Sequence, residues 1–185
     1  MEWVFLALIV GVLLFGVVTY NTMVTLRRRA DQAFADIDVQ LKQRHDLIPN
    51  LVEAVRGYMG HERGTLDAVI AARNSATAAS GPAAQGAAEQ VLSGAVGRML
   101  ALAEAYPDLK ANTTFLELQG QLASVEDKLS AARRFFNNAV GEYNTSTETV
   151  PAVFFASALG FAKREFFDVG AEKRAALDAP PSVKL

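Results

Sequence analysis

Hydrophobic and polar positions divide the chain into one unbroken apolar run and a series of helical stripes. Residues 3–26 carry no charge. As a helix that run spans about 36 Å, against a hydrocarbon core of about 30 Å, so it is predicted to cross a membrane once. Trp3 and Tyr20 stand near its ends, where amphipathic rings settle at headgroup level. A cleaved signal peptide would need a basic leader, a shorter apolar core and a small-residue cleavage site. Here Met1-Glu2 opens the chain without Lys or Arg, and Arg27-Arg28-Arg29, not an A-x-A pattern, directly follows the run. The expectation is a retained anchor over residues 1–26.

After Leu26 the pattern is helical, with no β-branched alternation long enough for a strand. Leu26, Ala30, Ala33, Ile37, Leu41, Ile48, Leu51, Val55 and Tyr58 continue the first helix beyond the anchor. Pro49 should kink it, because proline lacks the amide donor and crowds the carbonyl of His45. Gly57 and Gly60 mark its end. A second helix is predicted over residues 61–79, followed by a Ser80-Gly81-Pro82 turn, and a third over 84–106, closed by Pro107. The fourth shows the clearest stripe. From a cap at Asp108, apolar residues fall at Phe115, Leu118, Leu122, Val125, Leu129, Ala132, Phe136, Ala139 and Tyr143 in alternating steps of three and four. Pro151 ends it. The predicted fold is all-α: an N-terminal transmembrane helix continuing into an antiparallel bundle of about four helices. The bundle domain covers residues 27–167, and a polar, Ala-rich segment over 168–185 reads as a flexible tail.

Charge adds an orientation. The anchor holds one of the chain's 20 acidic residues, Glu2, and none of its 18 basic ones. The remainder is therefore close to neutral and offers no basic footprint for nucleic acid. Arg27, Arg28 and Arg29 abut the span, which by the positive-inside rule places the C-terminal domain in the cytoplasm. With no cysteine in the chain, disulfides and thiol catalysis are excluded.

Little in the sequence suggests chemistry. His45-Asp46 and His61-Glu62 are the suggestive acid–base pairs, yet neighbours point about 100° apart on a helix and do not converge. A helical zinc site wants ligands three or four residues apart, and no second histidine follows His61 at that spacing. No phosphate loop follows Gly57, Gly60 and Gly64, and no Ser/His/Asp arrangement is visible. The expectation is no enzyme, no cofactor, no metal and no catalytic residue. Arg133, Arg134, Asn137, Asn138 and Asn144 flank the aromatic part of the fourth stripe and read as hydrogen bonding that fixes helix register.

Five of the eleven phenylalanines fall in 151–167: Phe154, Phe155, Phe161, Phe166 and Phe167. Short connections make consecutive helices antiparallel, so the fourth helix should return toward the membrane and deliver these rings near the bilayer. Lys163 and Arg164 would flank an aromatic face in the headgroup region. Covering the end of the bundle, or meeting another copy, are open alternatives on sequence alone.

Particular segments carry a family resemblance. Residues 36–62 read DIDVQLKQRHDLIPNLVEAVRGYMGHE, residues 107–119 read PDLKANTTFLELQ and residues 131–144 read AARRFFNNAVGEYN. With Tyr20-Asn21 after the anchor, Gly160-Phe161, and Arg164-Glu165-Phe166-Phe167 near the end, the chain resembles the bacterial LemA family over roughly residues 20–167. Phe136 stands where that pattern has Tyr, and Val150 where it has an aromatic; both keep the apolar character. The resemblance implies a single-pass anchor and a mostly antiparallel helical domain, and it supplies no catalytic residue.

The functional expectation is a non-enzymatic interaction or self-assembling scaffold at the membrane surface. Its partners would be membrane lipid, copies of itself and other membrane proteins. Gly11 and Gly16 are too far apart for a G-x-x-x-G seam, so association is assigned to the bundle faces. One alternative is an accessory or regulatory subunit of a membrane enzyme such as a protease. A second is a hydrolase using His45, His61 and neighbouring carboxylates.

Overall fold

A computed structural model describes residues 1–167. Among the described residues the secondary structure is helical, without strands. Helix α1 spans Glu2–Arg56, α2 Arg63–Ala78, α3 Pro82–Ala103, the short α4 Pro107–Lys110 and α5 Thr113–Glu148, followed by a 3-10 turn over Ala152–Phe154. The all-α expectation holds, and the segment 168–185, expected as a tail, lies outside the described residues. The chain divides into two compact units. One comprises Met1–Ile37 and Ala132–Phe166; the other comprises Asp38–Ala131 and, among the described residues, Phe167.

In the first unit, α1 and α5 run antiparallel. Met23 shares a cluster with Tyr143, Arg29 pairs with Glu142 at 2.7 Å, and the rings of Phe34 and Phe136 lie 5.3 Å apart. Positions rise along α1 as they fall along α5. The contact face of α1 is built from Met23, Ala30, Ala33 and Ile37, all buried. The two alanines let the helices approach closely, and Phe136, Ala139, Val140 and Tyr143 supply the volume from α5.

In the second unit one core joins Ile48, Leu51, Val52 and Val55 of α1, Leu66 and Val69 of α2, Leu92, Val96 and Met99 of α3, and Phe115 and Leu122 of α5. The α5 stripe is therefore core, as its spacing requires. Gly81, at φ 86° and ψ 158°, precedes Pro82 at the start of α3. That backbone region is open to glycine and strained for any other residue.

One local expectation is corrected. Asp108 does not cap the long helix. Pro107, with φ preset for a first helical turn, starts α4 instead, and Leu109 is buried under it. The cap of α5 is Asn112, whose Oδ1 accepts the amide of Phe115 at 3.0 Å. The helix α1 continues on both sides of Pro49. Proline leaves the carbonyl of His45 without its usual donor four residues on, and the Arg73 Nε–H of α2 supplies one at 3.2 Å. A tertiary bond thus replaces the missing rung.

Candidate functional site

The apolar N-terminal span of α1 is not buried against protein. Its apolar window has mean hydropathy 2.5 and none of it is buried. Trp3, Phe5, Leu8, Leu13, Phe15 and Val18 are all exposed. A water-facing helix of that composition would be costly, and a bilayer is the solvent that suits it. The helix is a candidate membrane anchor. Its threonine hydroxyls are satisfied internally: Thr19, Thr22 and Thr25 each donate to the carbonyl four residues back, at 2.9 Å. Protein packing begins at Met23, the first buried residue.

At that point the segment after α5 folds back. Met23, Tyr143, Ala152, Ala156 and Phe161 form a cluster, edged by Val24, Leu26 and Phe155. Tyr20 meets Phe161 edge-on at 5.4 Å, and the Arg27 guanidinium lies 5.1 Å from the same ring centre. Gly160, at φ 76°, makes the reversal that carries Phe161 into the cluster. The Tyr143 hydroxyl donates to the Ala162 carbonyl at 3.0 Å. Asn144 holds residue 164 twice: its Nδ2 donates to the Arg164 carbonyl and its Oδ1 accepts the Arg164 amide. Arg164 also pairs with Asp31 at 2.5 Å, and Lys163 with Glu148.

The expected phenylalanine face is therefore split. Phe161 and Phe167 are buried, Phe155 is half-buried, and Phe154 and Phe166 are exposed. The two basic flanks are engaged with carboxylates. The arginines after the span are likewise engaged: Arg27 over Phe161, Arg28 3.9 Å from Asp31, and Arg29 between Glu142 and the Phe135 ring.

Burial pushes the Tyr143 phenol above its usual value of 10.0, against the opposing pull of Arg27 and Arg164. The unfolded chain ionises this group first as pH rises. Its stabilising contribution is complete below about pH 10 and is lost as pH climbs through the folded value. Tyr143→Phe is expected to lower stability at neutral pH by about 0.5–1.5 kcal/mol for the lost hydrogen bond. It should also lose less stability than the native chain in alkali. Melting curves on both sides of pH 10 check this; parallel alkaline losses in the two proteins would refute it.

The second unit holds a buried polar cluster. Arg44 and His45 of α1 and Glu89 of α3 are buried. The Arg44 guanidinium donates to Glu89 Oε2 at 2.6 Å and to Ser93 Oγ at 2.8 Å, with Glu126 of α5 3.3 Å away. His45 Nε2 lies 2.5 Å from Glu89 Oε1, and Nδ1 lies 3.3 Å from Thr77 Oγ1. Both ring nitrogens are thus taken inside the protein.

His45 does not work with Asp46. That exposed carboxylate pairs with Lys42 at 2.8 Å, which holds its pKa below the usual 3.8. His61 is exposed in the turn after α1. A surface cavity of about 390 Å³, lined among others by Gln43, Asn50, Gln121, Ser124 and Lys128, includes neither histidine. Among the described residues no three His, Asp or Glu side chains gather as a metal site would need. Sequence reasoning misses Glu89. The available signal is its place three residues before Leu92, on the buried stripe of Leu92, Val96, Met99 and Ala103.

The LemA family model matches residues 33–184. The chain is 24% identical to the magnetosome protein MamQ of Magnetospirillum gryphiswaldense over 174 residues, covering 80% of this chain and 64% of that protein. It is 23% identical, with the same coverage, to magnetosome proteins MamQ 1 and MamQ 2 of Paramagnetospirillum magneticum. The chain thus spans 64% of the length of these relatives.

Proposed function

The chain belongs to the LemA family, and from that premise we propose that it is a non-enzymatic scaffold, anchored in the cell membrane by α1, that acts through contacts with copies of itself and with other membrane proteins. The observation that carries this reading is the continuity of α1. One helix leads from an exposed apolar span into packed protein without a flexible linker. A rigid stem fixes how a bundle is presented at the membrane, which an assembly needs and a freely tethered catalytic domain does not. The saturation of His45 supports the non-enzymatic part, because neither ring nitrogen is available to a substrate. The arginines at 27–29 support a cytoplasmic bundle by the positive-inside rule.

Two differently tagged copies expressed together are expected to co-purify from solubilised membranes, with the bundle protected from protease added outside intact cells. One different protein recovered in fixed ratio, with no second copy, would replace the scaffold with the accessory-subunit reading. Cleavage from outside would reverse the orientation.

A further inference from the structure

The turn after α5 leaves four large apolar side chains without cover. Val150, Val153, Phe154 and Leu159 are exposed, Phe154 at 79%. Their neighbours Ala152 and Ala156 are buried in the cluster with Met23, so the turn sits against α1 at a defined height. A hydrocarbon core takes about 20 helical residues. Counted from Trp3, that length ends near Met23, where protein packing begins. Tyr20, at the same level, already contacts Phe161. The exposed residues therefore stand beside the point at which the anchor leaves the bilayer.

Charge points the same way by what it does not offer. Lys163 and Arg164 are paired with Glu148 and Asp31, so attraction to anionic headgroups is not what this segment supplies. What remains is apolar insertion.

We propose that the turn over residues 151–160, with Val150, forms a shallow wedge in the headgroup-to-acyl boundary of the bilayer that α1 crosses, inserting Val150, Val153, Phe154 and Leu159. This rests on the anchored reading. The wedge gives the bundle a second attachment to the membrane beside a single helix, which restrains tilt and rotation about the stem. Phe161, named with the exposed rings from sequence, instead pins the wedge to the anchor, and Phe155 lines their junction.

The test uses the full chain in liposomes of neutral phosphatidylcholine carrying brominated acyl chains. Trp3 is the one native tryptophan, so Trp3→Phe gives a dark background for single reporters. Phe15→Trp reports the anchor, Phe154→Trp and Leu159→Trp the wedge, and Phe135→Trp an exposed position about two turns before Tyr143 on α5, away from the span. Quenching is expected to be strongest at 15. At 154 and 159 emission should fall about two-fold, as suits groups about 5–10 Å into the boundary, and at 135 it should barely change. If 15 is not quenched, the anchored reading fails and the wedge with it. If 15 is quenched while 154 and 159 behave like 135, the wedge alone is overturned. A blue-shifted but unquenched emission at 154 also overturns it, and assigns the patch to a second copy.

Discussion

Glu89→Ala is expected to lower stability by about 3–5 kcal/mol, the cost of leaving a buried charge without its partner. Glu89 and Arg44 are both almost wholly inside the second unit, and arginine cannot shed its charge to relieve the loss. Ser93 remains as a neutral acceptor and Glu126 as a half-exposed carboxylate, neither of which replaces a buried carboxyl at 2.6 Å. Glu126→Ala should cost under about 1 kcal/mol, because an exposed carboxylate is well solvated without its partner. The double change Arg44→Met with Glu89→Leu should recover most of the loss, since well-packed apolar replacement of a buried pair is often neutral or better. Chemical denaturation of the four proteins decides it. Equal small costs for Glu89→Ala and Glu126→Ala would mean that the buried cluster does not tie α1 to α3.

Phe136→Ala is expected to cost about 3–5 kcal/mol, and Phe135→Ala about 1 kcal/mol or less. The two residues are neighbours of identical chemistry, so composition cannot separate them. Phe136 is 2% exposed and packed against Phe34, whereas Phe135 is 45% exposed and meets the Arg29 guanidinium. The large cost at 136 combines lost burial with a cavity that the flanking Ala33 and Ala139 are too small to fill. Comparable melting temperatures for both variants would contradict the antiparallel packing of α1 on α5.

How legible each feature is depends on contrast along the chain. The α5 stripe stands out because apolar residues recur at three and four against Glu117, Gln121, Asp127 and Lys128. The anchor stands out because 24 residues pass without a charge. Helix α3 is rich in Ala and Gly on every face, so its buried side has little contrast and Glu89 is easily passed over.

Arg44 and His45 do leave a mark. The α1 stripe takes a step of seven from Leu41 to Ile48, and the missing position is filled by two polar side chains that need a buried partner. The Asn112 cap is hidden by Pro107-Asp108, which reads equally well as a helix start. The phenylalanines after Pro151 have no period from which inward and outward rings could be sorted. Their division follows from the 3-10 turn and the left-handed Gly160, a matter of backbone geometry rather than pattern.

The proposed scaffold works by assembly at the membrane. The most direct measurement is the mass of single full-length particles extracted together with their surrounding lipid, before any detergent step. Particles holding several copies of the chain and persisting on dilution are expected. Particles holding a single chain, with no second copy and no other protein, would contradict the scaffold reading.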